Sequence, residues 1–222
     1  MKNYFKVSFL SLFLLSCSNS GIYKELLDSL SILLKKPQDI SLKEIQKVKY
    51  ASIQARLGGG QNTLLVLEED REGVLKWTSS NYIKVYTQRG IVIRLTGLGN
   101  ELEKLQVDPN HPILNKDFDL NNPMELTSYF NFKNPNLFDL PIKTSFRFLK
   151  EEKIINFEEE IICYVFQEKS KKNLINWDFE NIYWINKENL DVVKSIQSFS
   201  PKHEKIYIKK ARKYKKPVKQ AF

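Results

Sequence analysis

Between Lys49 and Lys209, short stretches rich in β-branched and aromatic residues follow one another at intervals too short to hold helices. Residues 50–57, 62–68, 74–79, 82–87 and 91–96 read as strands. Gly58, Gly59 and Gly60 permit a turn after the first, and Gln88-Arg89-Gly90 forms a hairpin connection. Strand character returns over 124–132, 143–149, 157–168, 179–186, 191–199 and 205–209. Alternation is clear at Ile142, Thr144, Phe146 and Phe148; Ile182, Trp184 and Asn186 fall on one side of a strand, with Tyr183 and Ile185 on the other. In the middle, residues 98–105 read as a short helix and 108–112 as a turn. Counting about eight to ten of these stretches as long strands, with little helix, predicts a mainly β fold, an antiparallel curled sheet or incomplete barrel.

The N-terminal end follows different rules. Lys2 and Lys6 precede a short apolar run over 7–15, relieved by Ser8 and Ser11. As a helix that run rises only about 14 Å against about 30 Å of bilayer hydrocarbon, so it is a targeting segment and not a stable span. Leu14-Leu15-Ser16-Cys17 follows directly and resembles the lipobox of bacterial lipoproteins. There the Cys receives diacylglycerol, is cleaved free on its amino side and is usually acylated again, as with palmitate. Residues 1–16 are therefore expected to be a lipoprotein signal peptide, and Cys17 the lipidation site. Ile22, Leu26, Leu27, Leu30, Leu33 and Leu34 then give a short amphipathic helix one apolar face, which Pro37 stops. Ser41 and Glu44 have the spacing of a capping box for a further helical turn.

Charge is unevenly placed. Of the formal +9, Lys2 and Lys6 supply two and residues 202–222 a net eight, which leaves 17–201 at −1. The expected organisation is thus a single β-rich domain over 17–201 and a basic C-terminal strand and tail over 202–222. Lys209, Lys210, Arg212, Lys213, Lys215, Lys216 and Lys219 are candidate contacts for anionic headgroups or an acidic polysaccharide. Export makes nucleic acid an unsuitable partner.

Catalytic patterns are sparse. With Cys17 lipidated, Cys163 lacks an intrachain partner and reads as a small buried hydrophobe within an apolar strand. His111 and His203 sit in no recognisable pattern. The triple glycine lacks the lysine and helix of a phosphate loop, and Asp117, Asp119 and Asn121 lack the glycine and final glutamate of a calcium loop. Neither a metal nor a cofactor is expected. Asp178 with Glu180, and the run Glu158-Glu159-Glu160, serve a glycosidase only if two carboxylates face one groove at about 5–10 Å. Trp77, Trp177 and Trp184 suit either a core or an enclosed hydrophobic ligand, and Arg56, Arg89 and Arg94 either solubility or contact with acidic sugar.

Residues 50–58, Leu64-Leu65-Val66-Leu67, Leu75-Lys76-Trp77-Thr78-Ser79, the stretch 88–98, Asn181-Ile182-Tyr183-Trp184-Ile185 and 193–201 keep the order of segments seen in one family. The chain resembles the YjbF-like group 4 capsule polysaccharide lipoproteins over roughly 17–210. That resemblance implies a mostly antiparallel β fold and no established catalytic residues. It further implies an outer-membrane lipoprotein encoded with exopolysaccharide or capsule secretion genes. Ser18 is not the Asp that resembles an inner-membrane retention signal, which favours sorting to the outer membrane, and the expected location is its periplasmic face, lipid-anchored. The chain departs from the pattern at the Glu188-Asn189 turn, where relatives tend to have Gly, and in its basic tail. The expected function is that of a noncatalytic accessory to capsule or exopolysaccharide export or assembly. The alternatives are a carrier of a hydrophobic ligand and a glycan-modifying enzyme using paired carboxylates.

Overall fold

The computed structural model describes residues 37–99 and 101–213. Cys17, the expected helix over 23–34 and Lys215, Lys216 and Lys219 lie outside the described residues. Polypeptide enters the described part through α1 (Leu42–Lys47), where Ser41 accepts from the Glu44 amide at 3.3 Å and the Glu44 carboxylate accepts from the Ser41 amide at 3.0 Å. This is the expected capping box.

Twelve antiparallel strands follow: β1 (Ser52–Leu57), β2 (Thr63–Arg71), β3 (Val74–Thr78), β4 (Lys84–Gln88), β5 (Ile91–Thr96), β6 (Leu102–Gln106), β7 (Met124–Phe132), β8 (Leu137–Asn156), β9 (Glu159–Ser170), β10 (Glu180–Asn186), β11 (Val192–Gln197) and β12 (Ile206–Arg212). Each pairs with its neighbours in sequence, and β1 pairs with β12, so the sheet is a closed barrel. The expected curled sheet or incomplete barrel is therefore corrected. Closure comes from a ladder running from Ile53 opposite Lys210 to Leu57 opposite Ile206, which satisfies both edges that an open sheet would expose. Ile206 and Ile208 of β12 turn into the core, Tyr207 and Lys209 take the opposite face, and Lys210 follows Ile208 on the inward side.

A second correction concerns residues 98–105. Leu98, Leu102 and Leu105 fall at helical spacings, yet 102–106 is strand β6, because Lys104 to Gln106 find partners in Asn131 to Tyr129 of β7. The β5–β6 seam is narrow, with Leu95 opposite Leu102 as its registered pair. Gln197 of β11 reaches across to this weakly paired strand: its Oε1 accepts from the Val92 amide at 2.9 Å and its Nε2 donates to the Gly90 carbonyl at 2.8 Å. One side-chain amide thus does for β5 what a longer β6 would do.

The interior is filled. Ile53, Leu65, Trp77, Leu95, Phe132 and Ile142, from six different strands, belong to one buried cluster. A second cluster packs Phe146, Phe166, Tyr183 and Ile185 against Ile113 of α2 (Pro112–Asn115), a short turn in the β6–β7 connection. The third lies on the opposite face of β10, where Trp184 meets Ile154, Ile161, Cys163 and Val165 of the long β8–β9 hairpin. A bulge between Phe148 and Lys150 lets that hairpin bend, and its tip reaches β12, where Asn156 donates to the Lys210 carbonyl at 3.1 Å. Both faces of β10 are buried for this reason.

Charged side chains take the outward positions, as in the Lys76–Glu68 pair at 2.6 Å and the Lys153–Glu160 pair at 2.5 Å. An apolar interior with a charged exterior is the reverse of a lipid-facing barrel. Among the described residues no helix is long and apolar enough to cross a membrane.

Candidate functional site

At one end of the barrel the β2–β3, β4–β5 and β10–β11 turns surround a cavity of about 870 Å³. That volume falls within the range of about 300–1,000 Å³ usual for ligand sites. Its apolar wall is built by inward positions of paired strands: Ile53 of β1, Leu75 and Trp77 of β3, and Ile208 of β12. Trp77 donates from Nε1 to Thr87 Oγ1 at 2.8 Å, which fixes the buried indole.

The polar lining is charged. Asp191 anchors one side: its Oδ1 accepts from Lys116 Nζ at 3.0 Å and its Oδ2 lies 3.4 Å from Lys210 Nζ. Burial works to raise this carboxyl, but the hydrogen bonds and charges of the two lysines outweigh it and hold the group below the usual carboxylate range. Lys116 also donates to the Asn189 carbonyl at 2.7 Å. Arg89 also lines the cavity, and the next residue, Gly90, packs so closely on Val192 that a Cβ on the glycine would stand 2.6 Å from the valine Cβ. Asp70 and Glu72 complete the charged lining, with Asp70 Oδ1 accepting from the Gly73 amide at 3.0 Å.

Four lining residues other than glycine have left-handed backbones: Glu72 at φ 53°, Arg89 at 49°, Lys116 at 55° and Leu190 at 59°. The expected turn at Glu188-Asn189 is present between β10 and β11. Its left-handed residue is Leu190, while the Asn186 side chain accepts from the Glu188 amide at 2.7 Å and so holds the turn.

The remaining candidates are scattered. Lys209 sits on the face of β12 opposite to Lys210, where it pairs with Asp39 at 2.7 Å and lies 4.2 Å over the Phe157 ring. Arg212 donates to the Val48 carbonyl, and Lys213 lies 3.4 Å from Glu159. Arg56 stacks 3.6 Å over Tyr207 and Arg94 lies 5.2 Å from the Tyr86 ring, both away from the cavity. Trp177 belongs to an aromatic group with Phe130, Phe132 and Phe179, and the Trp184 Nε1 donates to Glu152 at 3.2 Å.

Residues proposed for chemistry hold structural posts. Cys163 is fully buried, and that burial, with the Glu152 charge, pushes its thiol up to about 11. His111 caps α2 by accepting the Ile113 amide at Nδ1, 3.2 Å away, and burial holds its pKa below the ordinary value. His203 stacks on Phe199 at 5.4 Å. Asp119 accepts from the Asn121 and Asn122 amides at 2.8 and 3.0 Å, an Asx turn in place of a calcium loop. Among the described residues no group of three or more His, Cys, Asp or Glu side chains is placed to hold a metal. Glu159 and Glu160 are engaged by Lys213 and Lys153, and Asp178 and Glu180 lie outside the cavity.

One buried group escaped the sequence reading. Glu168 sits inside the barrel, accepting from Thr144 at 2.9 Å and from Asn181 at 3.0 Å, with Tyr183 Oη 3.3 Å away. Strand alternation was the available signal, since Glu168 shares a face with the buried Phe166. Asp191 and Lys116 carried no local signal, because their pairing joins residues distant in sequence.

Comparison with known proteins follows the whole barrel. Residues 23–210 match the family model described as YjbF, group 4 capsule polysaccharide lipoprotein gfcB. Over 194 residues the chain is 23% identical to the uncharacterized lipoprotein GfcB of Escherichia coli K12, covering 86% of this chain and 89% of that protein. Its fold is similar to the crystal structure of the hypothetical lipoprotein YmcC from Escherichia coli K12, with a TM-score of 0.66 at 18% identity, covering 90% of this chain and 98% of that one.

Proposed function

The chain belongs to the YjbF family of group 4 capsule polysaccharide lipoproteins, and we propose that it is a noncatalytic accessory to capsule or exopolysaccharide export or assembly. In this reading lipid on Cys17 ties it to the periplasmic face of the outer membrane, and the barrel works within reach of that surface. Two or more acyl chains give durable attachment, since each buried methylene contributes about 0.8 kcal/mol.

The observation that carries the reading, beyond membership, is a filled barrel with a charged cavity at one end. A carrier of a hydrophobic ligand needs an enclosed apolar volume. Here the interior is occupied by side chains, and the more apolar second cavity, near Leu57 and Leu98, measures only about 200 Å³. An inverting or retaining glycosidase needs a carboxyl raised to act as an acid. Asp191 is held the other way, by two lysines. The export reading therefore has more support than either alternative.

Deleting the gene in its native host and measuring the amount, length and retention of surface polysaccharide tests it. A change in any of the three is expected, and unchanged polysaccharide refutes it. Mature protein that released sugar from purified native polysaccharide would move the assignment to the enzyme alternative.

A further inference from the structure

The barrel-mouth cavity carries charges of both signs. Lys116 and Lys210 share the single carboxylate of Asp191, which leaves that pair of lysines with an excess of one positive charge, and Arg89 adds another to the lining from the β4–β5 turn. Lys194 also lines the cavity, but its ammonium lies 4.1 Å over the Trp184 ring. The β2–β3 turn, which the pairing of Val74 with Gln88 sets beside the turn of Arg89, brings the carboxylates of Asp70 and Glu72 to the lining. The lining also holds Thr87 and Ser195, whose hydroxyls accept from Trp77 and Gln197, and the apolar wall of Ile53, Trp77 and Ile208.

Local backbone preference does not account for these charges. Glu72-Gly73 and Arg89-Gly90 are two-residue hairpin turns whose first position is left-handed, where Asn, Asp or Gly is favoured. Lys116 takes the left-handed C-cap of α2, a position that Gly or Asn usually fills. Three charged side chains thus stand on the rim at backbone positions that disfavour them.

We propose that this cavity binds an acidic glycan segment, with Arg89, Lys116 and Lys210 receiving a sugar carboxylate and the carboxylates of Asp70 and Glu72 accepting from its hydroxyls. It rests on the polysaccharide role proposed above. A simple anion such as phosphate would use the cationic groups and gain nothing from Asp70 and Glu72. A neutral sugar would leave the excess of cations unmatched. A glycan carrying both carboxylates and hydroxyls uses both signs of charge, and its C–H faces meet the apolar wall.

The test uses the full lipidated protein in detergent micelles, titrated calorimetrically with oligogalacturonate, with its neutral methyl ester and with inorganic phosphate. Oligogalacturonate is expected to bind more tightly than either, and less tightly as salt rises. The double variant Arg89→Asn with Lys116→Asn suits both left-handed positions while removing two charges. It should keep or raise the melting temperature while weakening binding by at least about tenfold. Equal binding of acid and ester, equal binding of phosphate, no binding of oligogalacturonate, or undiminished binding by the double variant each overturns the site. Returning the double variant to the deletion strain separates the two levels. If deletion alters surface polysaccharide and the variant restores it fully, the accessory role stands and the cavity site falls. If deletion alters nothing, the role itself falls.

Discussion

Glu168 shows how a buried charge can be held by neutral groups alone. Thr144 and Asn181 donate to its two carboxylate oxygens, and Tyr183 stands beside it with its phenol pKa pushed upward, first by burial and then by the Glu168 charge. Replacing Glu168 with Leu takes the acceptor from the Asn181 amide and the Thr144 hydroxyl inside the barrel, and leaves Tyr183 with Gln197 Oε1, 3.4 Å away. Chemical denaturation should register a loss of about 2–3 kcal/mol, while Thr144→Val, which removes one donor, should cost less. His111 makes the pH dependence at this scale. Its Nδ1 accepts from Ile113, so a proton there would break the cap as well as charge a buried ring. Burial holds the folded pKa below the ordinary histidine value of 6.5, so as pH falls the unfolded chain takes up a proton that the folded one refuses. Stability is thus full above that value and declines on acidification toward the folded pKa. His111→Asn keeps a capping acceptor and removes the titration. The decline in melting temperature between about pH 7 and pH 5 should be shallower in that variant than in the parent.

Elements were legible where a single periodicity governed them. The strand expected over 124–132 is β7 residue for residue, because its alternation is unbroken and its ends are marked by Pro and Asn. Strand β8 was under-read as 143–149 when it spans twenty residues, Leu137–Asn156. Pro141 and the charged run from Lys150 to Lys153 look like breaks, yet the bulge after Phe148 merely shifts which residues face inward. The hairpin tip was harder still, since Phe157 and Glu158 both adopt left-handed backbones without a glycine to announce the turn. Gly90 is the opposite case, a glycine whose need is visible twice over. Its φ is +94°, and a Cβ would meet Val192. Gly90→Ala should therefore destabilise the barrel by about 1–3 kcal/mol, and adding Val192→Ala should recover only the steric part because the backbone strain remains. Thermal melts of the two variants check this. At α1 the cap was readable from Ser41 and Glu44 alone, and Ser41→Ala should cost about 1 kcal/mol of stability in the same melts.

Closure is a property of the whole molecule, and it decides what the basic C-terminal end can do. Sequence grouped Lys209, Lys210, Arg212 and Lys213 with Lys215, Lys216 and Lys219 because charge was the one feature they shared, and a ladder between residues some 150 positions apart leaves no local trace. In the barrel Lys209, Lys210 and Lys213 face Asp39, Asp191 and Glu159, while the strand carrying the first two completes the sheet. Surface pairs of this kind contribute little each; the weight lies in Ile206 and Ile208 within the core and in the two ladders that β12 makes. A chain ending at Lys205 should then lose its cooperative melting transition, because both β1 and β11 are left as unsatisfied edges. A chain ending at Lys213 should melt close to the parent. If the extra lysines engage an anionic surface, that shorter chain should also bind anionic vesicles less than the parent at low salt and equally at high salt. Equal binding at both would assign the charge at this end to the barrel and its cavity.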